Sequence, residues 1–312
     1  MKKILIYTAL TVLFSLKSFT EINIDEIRKI EHFRPVINEL LRDGVDTFFV
    51  YNLVTDPRTE FHEKYSRINV TGFLGKPDYS SHYNALSVKK NKTFHAENIQ
   101  QLQKAEDKFG VPTEVIAAVL WVETRHGGYT GNHHVASVYL SLALTKQDVF
   151  VDKNIKNLHE KFDGDASELP ALENKVKSRS EKKAEWALSQ LKAMSQLALV
   201  HPFDVLDIKG SWAGAFGYSQ FLPSSYMNWA VDGNEDGKIN LFDMDDAIFS
   251  VANYLKINGW GDSEEEQRKA VFHYNNSSAY VNAVLKLAEL TKEDEDSDRS
   301  SSLVPLDNPN AK

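Results

Sequence analysis

The stretch "VPTEVIAAVLWVETRHGG", residues 111–128, decides the fold of this 312-residue chain. Every residue from 115 to 122 is apolar, so a helix formed here is apolar on all sides. Such a helix belongs in the interior of a protein rather than on its surface. The next residue is Glu123, and a buried carboxylate is costly unless it is paired or neutral. The sequence therefore predicts a core helix whose last turn carries an acid with a structural partner or a chemical role.

Apolar residues recur at helical spacing in several other segments of the chain. Asn23 is predicted to cap the first helix, and Gly110 and Gly259 are predicted to end two others. Between residues 46 and 95, glycines and prolines interrupt β-branched and aromatic residues, which predicts short extended segments and loops there. The other helices are predicted over residues 24–41, 99–109, 184–197, 245–258 and 278–290.

The composition is that of an ordinary soluble globular protein, with 42% hydrophobic and 26% charged residues. The length suits one large domain or two modest ones. A net charge of −8 and a pI near 5.7 argue against a nucleic-acid partner.

The N-terminus has the pattern of a secretory signal peptide. Lys2 and Lys3 precede an apolar run over residues 4–14, which is too short to span a bilayer as a helix. We expect residues 1–20 to be the signal, although a first core helix is the alternative. The chain has no cysteine, which excludes disulfides and a cysteine-linked lipid. The sequence predicts an exported, periplasmic or secreted protein that is not a lipoprotein and has no stable membrane anchor.

Two segments have little apolar content. Residues 146–180 are highly charged and are predicted to be an insertion on the surface. Residues 292–312 include the run "EDEDSD" and are predicted to be a disordered acidic tail, because they have almost nothing to bury.

The stretch "GSWAGAFGYSQFLPSSY", residues 210–226, combines glycines, aromatic residues and neutral hydrogen-bonding groups. Glycines allow a close approach of the backbone, and aromatic rings with amides and hydroxyls are what a sugar-binding surface needs. Ser211 and Gln220 are the candidate hydrogen-bonding residues. The alternative is a glycine-rich turn that only packs helices together.

The stretch "DGNEDGKINLFD", residues 232–243, has the spacing of a twelve-residue calcium loop. Position 12 is Asp243 instead of Glu, whose longer side chain makes bidentate coordination more certain. An Asx-rich turn that caps the next helix is the alternative. Since only one such loop occurs, we expect a structural metal rather than a calcium sensor. The predicted ligands are Asp232, Asn234, Asp236, the carbonyl of Lys238, and Asp243.

A further polar and aromatic cluster is "HYNNSSAY", residues 273–280, which contains Tyr274, Asn275 and Tyr280. Tyr254 lies in the preceding helix. Taken singly, each tyrosine is better explained by a half-buried position in the core. His133 and His134 lack the spacing of a metal motif and are interpreted as loop residues.

These four motifs together, in this order, resemble the lytic murein transglycosylase B family. The resemblance covers most of residues 95–290. It implies a mainly α (α+β) fold: a lysozyme-like helical core over residues 95–291, accessory helical and small β segments over residues 21–94, and one EF-hand-like loop. Departures from the family pattern are His126 in place of an aromatic residue, Ser219 in place of a glycine, and a longer segment between Glu123 and Gly210.

The resemblance also implies an enzyme that cleaves peptidoglycan, and we expect a monomer acting on glycan strands. Glu123 would be the single catalytic acid and base. Ser211 and Gln220 would contact the N-acetylmuramoyl group, and calcium would occupy the metal loop. The cleft would be lined by Tyr254, Tyr274, Asn275 and Tyr280.

Because only one good acid is found, the expected reaction is a transglycosylation assisted by the substrate's own acetamide. Most glycosidases instead use two carboxylates. The alternatives are a lysozyme-type muramidase that uses water, a non-catalytic peptidoglycan-binding module, and a calcium-dependent structural or signalling protein.

Overall fold

A computed structural model describes residues 23–74, 78–201 and 203–302 of the chain. These parts are mainly helical, which confirms the mainly α fold class. The helices are α1 (Ile24–Arg42), α2 (Thr47–Thr55), α3 (Glu63–Thr71), α4 (Ala85–Glu97), α5 (Ile99–Phe109), α6 (Thr113–Thr124), α7 (Val135–Ala143), α8 (Asp148–Lys161), α9 (Leu169–Val200), α10 (Pro223–Trp229), α11 (Met244–Ile257), α12 (Glu264–Tyr274) and α13 (Ser278–Ser302). Short 3₁₀ turns lie at Gly72–Leu74, Ser80–Tyr83, Ala166–Glu168 and Val205–Asp207.

Helix α6 is the central helix of one hydrophobic core. Residues 115–122 are all buried, as the apolar run predicts. Around them pack helices α4, α5, α11 and α13, which contribute buried side chains such as Leu102, Ile248 and Leu287. Gly110 ends α5 in the left-handed conformation, with a φ of 70°. This packing holds the end of α6, and with it Glu123, in a fixed position.

A second core surrounds helix α7, which is also buried along its whole length. Helices α1, α2, α9 and α10 contribute to the same cluster, with Phe33, Leu53 and Leu191 among the buried side chains. Asn23 caps α1, because its side chain accepts a hydrogen bond from the Asp25 N–H. The predicted helix start is therefore confirmed.

The prediction of extended segments over residues 46–95 is wrong, because the described part of this region forms helices α2, α3 and α4. Two N-caps explain where helices begin: Asp46 accepts from the Phe49 N–H, and Asn84 accepts from the Ser87 N–H. Val50 and Val54, the two valines of α2, are buried in the core around α7. Burial against neighbouring helices thus outweighs their weak helix propensity.

The two short strands in the described chain form one antiparallel ribbon. Strand β1 (His133–His134) pairs with β2 (Lys209–Gly210) in the register His133 to Gly210. Gly131 approaches β2 so closely that a Cβ atom there would lie 2.2 Å from the Gly210 carbonyl oxygen. The ribbon therefore holds the loop after α6 against the start of the glycine-rich segment.

Residues 146–180 fold mainly into helices, and most of their side chains are exposed or half-buried. They form α8 and the first part of α9, and both helices pack on α3 around Val70, Leu158 and Val176. Polar contacts contribute as well, since Asn154 and Asn157 donate to Ser66 and Thr71 at 2.9 and 3.0 Å. That this segment is an insertion relative to the family stays a prediction.

Both ends of the chain include residues beyond the described parts. The predicted signal segment lies outside the described residues, and so do residues 303–312. Helix α13 runs to Ser302, so its backbone is helical over residues 292–302, where the composition predicts disorder. Across the described residues, no helix combines the length and apolar character needed to cross a membrane.

Candidate active site

Glu123 lies in the last turn of α6, where the backbone makes an unusual reversal. Three consecutive residues after the helix, Arg125, His126 and Gly127, are left-handed, with φ values of 53°, 56° and 84°. The Arg125 N–H donates to the Trp121 carbonyl at 2.8 Å and closes the helix. A Cβ atom on Gly127 would lie 2.8 Å from the Tyr218 ring, so glycine is required there. The turn brings the glycine-rich segment next to the end of α6.

The carboxyl group of Glu123 is enclosed by protein, although the residue keeps some solvent-accessible surface. Burial raises its pKa to about 7, and a hydrogen bond from Tyr280 works in the opposite direction. Tyr280 Oη donates to Glu123 Oε1 at 2.6 Å. Glu123 forms no ion pair with any described Lys, Arg or His. At neutral pH, Glu123 is therefore protonated in a large fraction of the molecules, and in these it can donate a proton.

Aromatic rings of tyrosines form a row beside Glu123. Tyr274 stacks on Tyr280 with ring centroids 6.4 Å apart and meets Tyr254 edge to face at 4.7 Å. Tyr254 is buried in the core around α7, and its hydroxyl donates to the His273 carbonyl at 2.8 Å. The structure therefore places Tyr280 on the carboxyl group, Tyr274 behind it, and Tyr254 in a supporting position that fits the core alternative.

Tyr79 is a site residue that the sequence reasoning missed. Burial raises its pKa, the charge of Glu123 raises it further, and a hydrogen bond with the Asn275 side chain lowers it. Its ring also meets Tyr280 edge to face, with centroids 5.7 Å apart. No local feature of the sequence marks Tyr79, and it lies in the region 21–94 that was interpreted as accessory. Tyr79 thus joins Tyr280 and Asn275 at the acid.

The glycine-rich segment packs tightly and also carries the two predicted sugar-binding residues. A Cβ atom on Gly214 would lie 2.4 Å from the Tyr139 ring, and one on Gly217 would lie 2.5 Å from Leu241. The packing function is therefore present, and it fixes the shape of the surface on which Ser211 and Gln220 lie.

Both of these residues are half-buried and oriented by local hydrogen bonds. Gln220 has a left-handed φ of 50°, and its amide nitrogen donates to the Thr130 carbonyl at 3.1 Å and the Gly217 carbonyl at 3.0 Å. These bonds direct the amide nitrogen inward. The Ser211 hydroxyl accepts from the Ala215 N–H at 3.2 Å. Both side chains are therefore held in place without a ligand.

The two residues that depart from the family pattern, His126 and Ser219, are both packed against protein. His126 stacks on Phe94 at 3.7 Å, and its Nε2 lies 3.0 Å from Asn91 Oδ1 and 3.1 Å from the Ala117 carbonyl oxygen. Burial lowers the pKa of His126 to about 4, so the ring is neutral. Ser219 is fully buried. His126 thus packs behind α6.

The predicted calcium loop has the expected turn at Gly237, with a φ of 82°. The Gly237 N–H donates to Asp232 Oδ2 at 2.8 Å, whereas Asp232 Oδ1 is buried without a hydrogen-bond partner. The Asp243 side chain caps α11, as the alternative interpretation expects. Asp246, which was not predicted, is buried and connects two parts of the loop. Its carboxylate accepts from the Gly233 N–H at 2.8 Å and from the Asn240 N–H at 2.6 Å.

The residues of this loop fit a hard cation by their chemistry, since they supply carboxylate, amide and carbonyl oxygens. The orphaned oxygen of Asp232 is consistent with such a ligand. Within the described residues, however, no three or more His, Cys, Asp or Glu side chains converge as a metal site.

Comparison with known proteins agrees with this geometry. The sequence profile of the family described as "Transglycosylase SLT domain" matches residues 76–272. The chain belongs to this family. The matched segment of the Transglycosylase SLT domain includes Tyr79 as well as Glu123, although the predicted core begins only at residue 95. The family resemblance drawn from the four motifs is confirmed.

Among sequence relatives, the chain is 34% identical over 159 residues to the membrane-bound lytic murein transglycosylase B of Escherichia coli (strain K12). The match covers 51% of this chain and 35% of that relative, so the chain spans about a third of the relative's length.

Two solved structures share the fold. The E. coli lytic transglycosylase SLT35 in complex with bulgecin A has a TM-score of 0.64 at 22% identity, covering 84% of this chain and 93% of that chain. The same protein has also been solved in complex with calcium. SltB3 from Pseudomonas aeruginosa in complex with NAG-anhNAM-pentapeptide has a TM-score of 0.62 at 19% identity, covering 84% of this chain and 79% of that chain. These matches confirm the lysozyme-like helical fold.

Proposed function

We propose that this protein is a peptidoglycan lytic transglycosylase that cleaves the bond between N-acetylmuramic acid and N-acetylglucosamine. The observation that carries the proposal is the enclosed carboxyl group of Glu123. Its burial raises its pKa to about 7. Membership of the Transglycosylase SLT domain family and the peptidoglycan-like ligand bound by SltB3 support the same substrate class.

Glu123 acts first as the general acid. Its neutral carboxyl group donates a proton to the glycosidic oxygen as the bond from that oxygen to C1 of the muramoyl ring breaks. The acetamide oxygen of the muramoyl group stabilises the positive charge that develops at C1. Ser211 and Gln220 are the residues we assign to holding this acetamide, because both are pre-oriented by backbone contacts in the segment beside α6.

Glu123 then acts as the base. Its carboxylate accepts the proton of the C6 hydroxyl group while O6 attacks C1, which closes a 1,6-anhydro ring and restores the neutral acid. No water is consumed. Tyr280 donates to the carboxylate and stabilises it between the two steps. Tyr79, Tyr274 and Asn275 keep Tyr280 in register, and Tyr254 supports Tyr274 from the core.

The masses of the products test this reaction. Purified protein is incubated with isolated peptidoglycan, and the soluble fragments are weighed by mass spectrometry. Fragments that end in anhydromuramic acid, lighter by one water than hydrolysis products, are the expected result. Reducing muramic acid ends would instead show a lysozyme-type hydrolase, and binding without any fragments would show a non-catalytic module.

We further propose that residues 232–243 bind calcium through Asp232, Asn234, Asp236, the Lys238 carbonyl and Asp243. The oxygen donors, the orphaned Asp232 oxygen and the calcium complex of SLT35 support this assignment. A bound cation would tie the loop to the start of α11, a structural role away from the reacting bond. Export to the cell wall, as an unanchored monomer, also stays a proposal.

Calcium binding should raise the melting temperature of the parent protein, because a ligand that binds only the folded state stabilises it. We expect Asp236→Ala to abolish this rise and the matched control Glu235→Gln, in the same loop, to keep it. A parent melting temperature that does not respond to millimolar calcium contradicts the assignment.

A further inference from the structure

The first half of helix α9 carries an unpaired row of cations. Lys175, Arg179 and Lys183 follow each other at intervals of four residues, so they lie within about 80° of one another around the helix. We call these three residues the basic stripe. None of them forms an ion pair with a described carboxylate. Like charges at this spacing repel each other, so the arrangement is unfavourable for the helix alone.

Aromatic rings and backbone carbonyls hold the stripe in place. Lys175 Nζ lies 4.0 Å from the centre of the Phe73 ring, and Lys183 Nζ lies 4.5 Å from that of Trp186. Arg179 donates from Nε and one Nη to the carbonyls of Val70 and Asn69, at 2.7 and 2.8 Å. Burial lowers the pKa of both Arg179 and Lys183, as expected for cations that leave water without a countercharge.

The stripe lies alongside the glycine-rich segment of the candidate site, and two chains of contacts connect them. The Asn69 carbonyl accepts from Arg179, and the Asn69 amide donates to the Trp212 carbonyl at 3.4 Å, one residue from Ser211. Trp186, under Lys183, packs edge to face on Tyr139, whose hydroxyl donates to the Gly214 carbonyl at 2.9 Å. Trp212 itself is 46% exposed.

We propose that the basic stripe binds the carboxylate groups of the peptide stems that project from the glycan strand. The inference rests on the proposed function, because the strand must lie across Ser211 and Gln220 for its stems to reach α9. In a stem-bearing strand the sugar rings are uncharged and the lactyl carboxyl groups are bound to the stems as amides, so three cations beside the sugar surface fit the acidic peptide better than the glycan. Lys175 and Arg179 come from residues 146–180, which gives this segment a role in stem recognition.

The double variant Lys175→Gln with Lys183→Gln tests the proposal and leaves the structural contacts of Arg179 intact. Its matched control is Lys156→Gln with Lys177→Gln, which removes two exposed charges from the same region but not from the stripe. Both are compared with the parent by kcat/KM on glycan strands that carry stems and on strands from which an amidase has removed them. Melting temperatures show that all three proteins are folded.

On stem-bearing strands we expect the double variant to lose about tenfold in kcat/KM at low salt, and less at high salt, because salt screens exposed charges. On stemless strands it should equal the parent, and the control should equal the parent on both. An equal loss on both substrates, or no loss on either, overturns the proposal. A further contradicting result concerns inorganic polyphosphate. If polyphosphate inhibits the parent but not the double variant, and stems make no difference to kcat/KM, the stripe recognises phosphate rather than peptide carboxylates.

The parent protein on stemless strands separates this proposal from the proposed function. Anhydromuramic acid ends formed from those strands would show that the reaction does not depend on stem binding by the basic stripe. If the parent cleaves neither substrate, the proposed function fails and takes the stem site with it.

Discussion

Helices α6 and α7 are both buried along almost their whole length, and each carries polar side chains into the interior. In α7 the polar groups are fully used: Ser141 Oγ accepts from the His62 N–H at 3.0 Å and donates to the Ser137 carbonyl at 2.7 Å. In α6, Glu123 has Tyr280 as its side-chain hydrogen-bond partner and keeps some contact with solvent. The Ser141 hydroxyl therefore has no hydrogen-bonding capacity to spare, whereas the Glu123 carboxyl group keeps some for a substrate.

The largest effect is expected when Glu123 itself is changed. Glu123→Gln keeps the shape and the bond from Tyr280 but removes the transferable proton, so kcat should fall by on the order of 10³-fold or more. The rate of release of soluble fragments from peptidoglycan measures this loss. The variant should still sediment with insoluble peptidoglycan. If the variant digested peptidoglycan at the parent rate, Glu123 would have only a structural role, and the proposed difference between α6 and α7 would be wrong.

Tyr280→Phe should have an intermediate effect. Removing the hydroxyl deletes the hydrogen bond that lowers the pKa of Glu123, so that pKa should rise above about 7. Since the acid must be protonated, the alkaline limb of the pH–rate profile should move to higher pH. We expect kcat to fall about tenfold, because the carboxylate formed between the two steps loses its donor. An unchanged alkaline limb would mean that Tyr280 does not influence the acid.

Changing Ser141 in α7 should lower the stability of the protein and leave its activity unchanged. Ser141→Ala leaves the part-buried His62 N–H without its partner, so the free energy of unfolding should fall by about 1 kcal/mol. Urea denaturation measures this change, and Ser178→Ala on the exposed face of α9 is the control. Activity per folded molecule should stay at the parent value. A loss of activity without a loss of stability would assign α7 a role in the chemistry.

The same contrast explains what the sequence could predict. Helix α6 was predictable because eight consecutive apolar side chains indicate burial whatever the helix packs against. The raised pKa of Glu123 follows from that burial. The caps at Asn23 and Gly110 are equally local, because a side chain or a positive φ sets each of them within a few residues.

The failures arose where tertiary contacts decide. Helix α2 reads as a β-branched and aromatic segment, and its burial against α1 is what makes it a helix. Tyr79 has no local feature that marks it as a site residue; the contacts with Tyr280 and Asn275 do so only in the fold. The sequence around the basic stripe is highly charged, and only the fold reveals that its three cations form no ion pair with a described carboxylate.

The most direct measurement is a ¹³C NMR titration of the side-chain carboxyl groups of glutamate, with Glu123→Gln used to assign the resonance of Glu123. Burial in α6 predicts that this carboxyl group titrates near pH 7, well above the ordinary glutamate pKa of 4.5. A resonance that titrates near pH 4.5 would show a carboxylate already ionised at neutral pH, and Glu123 could not be the proton donor.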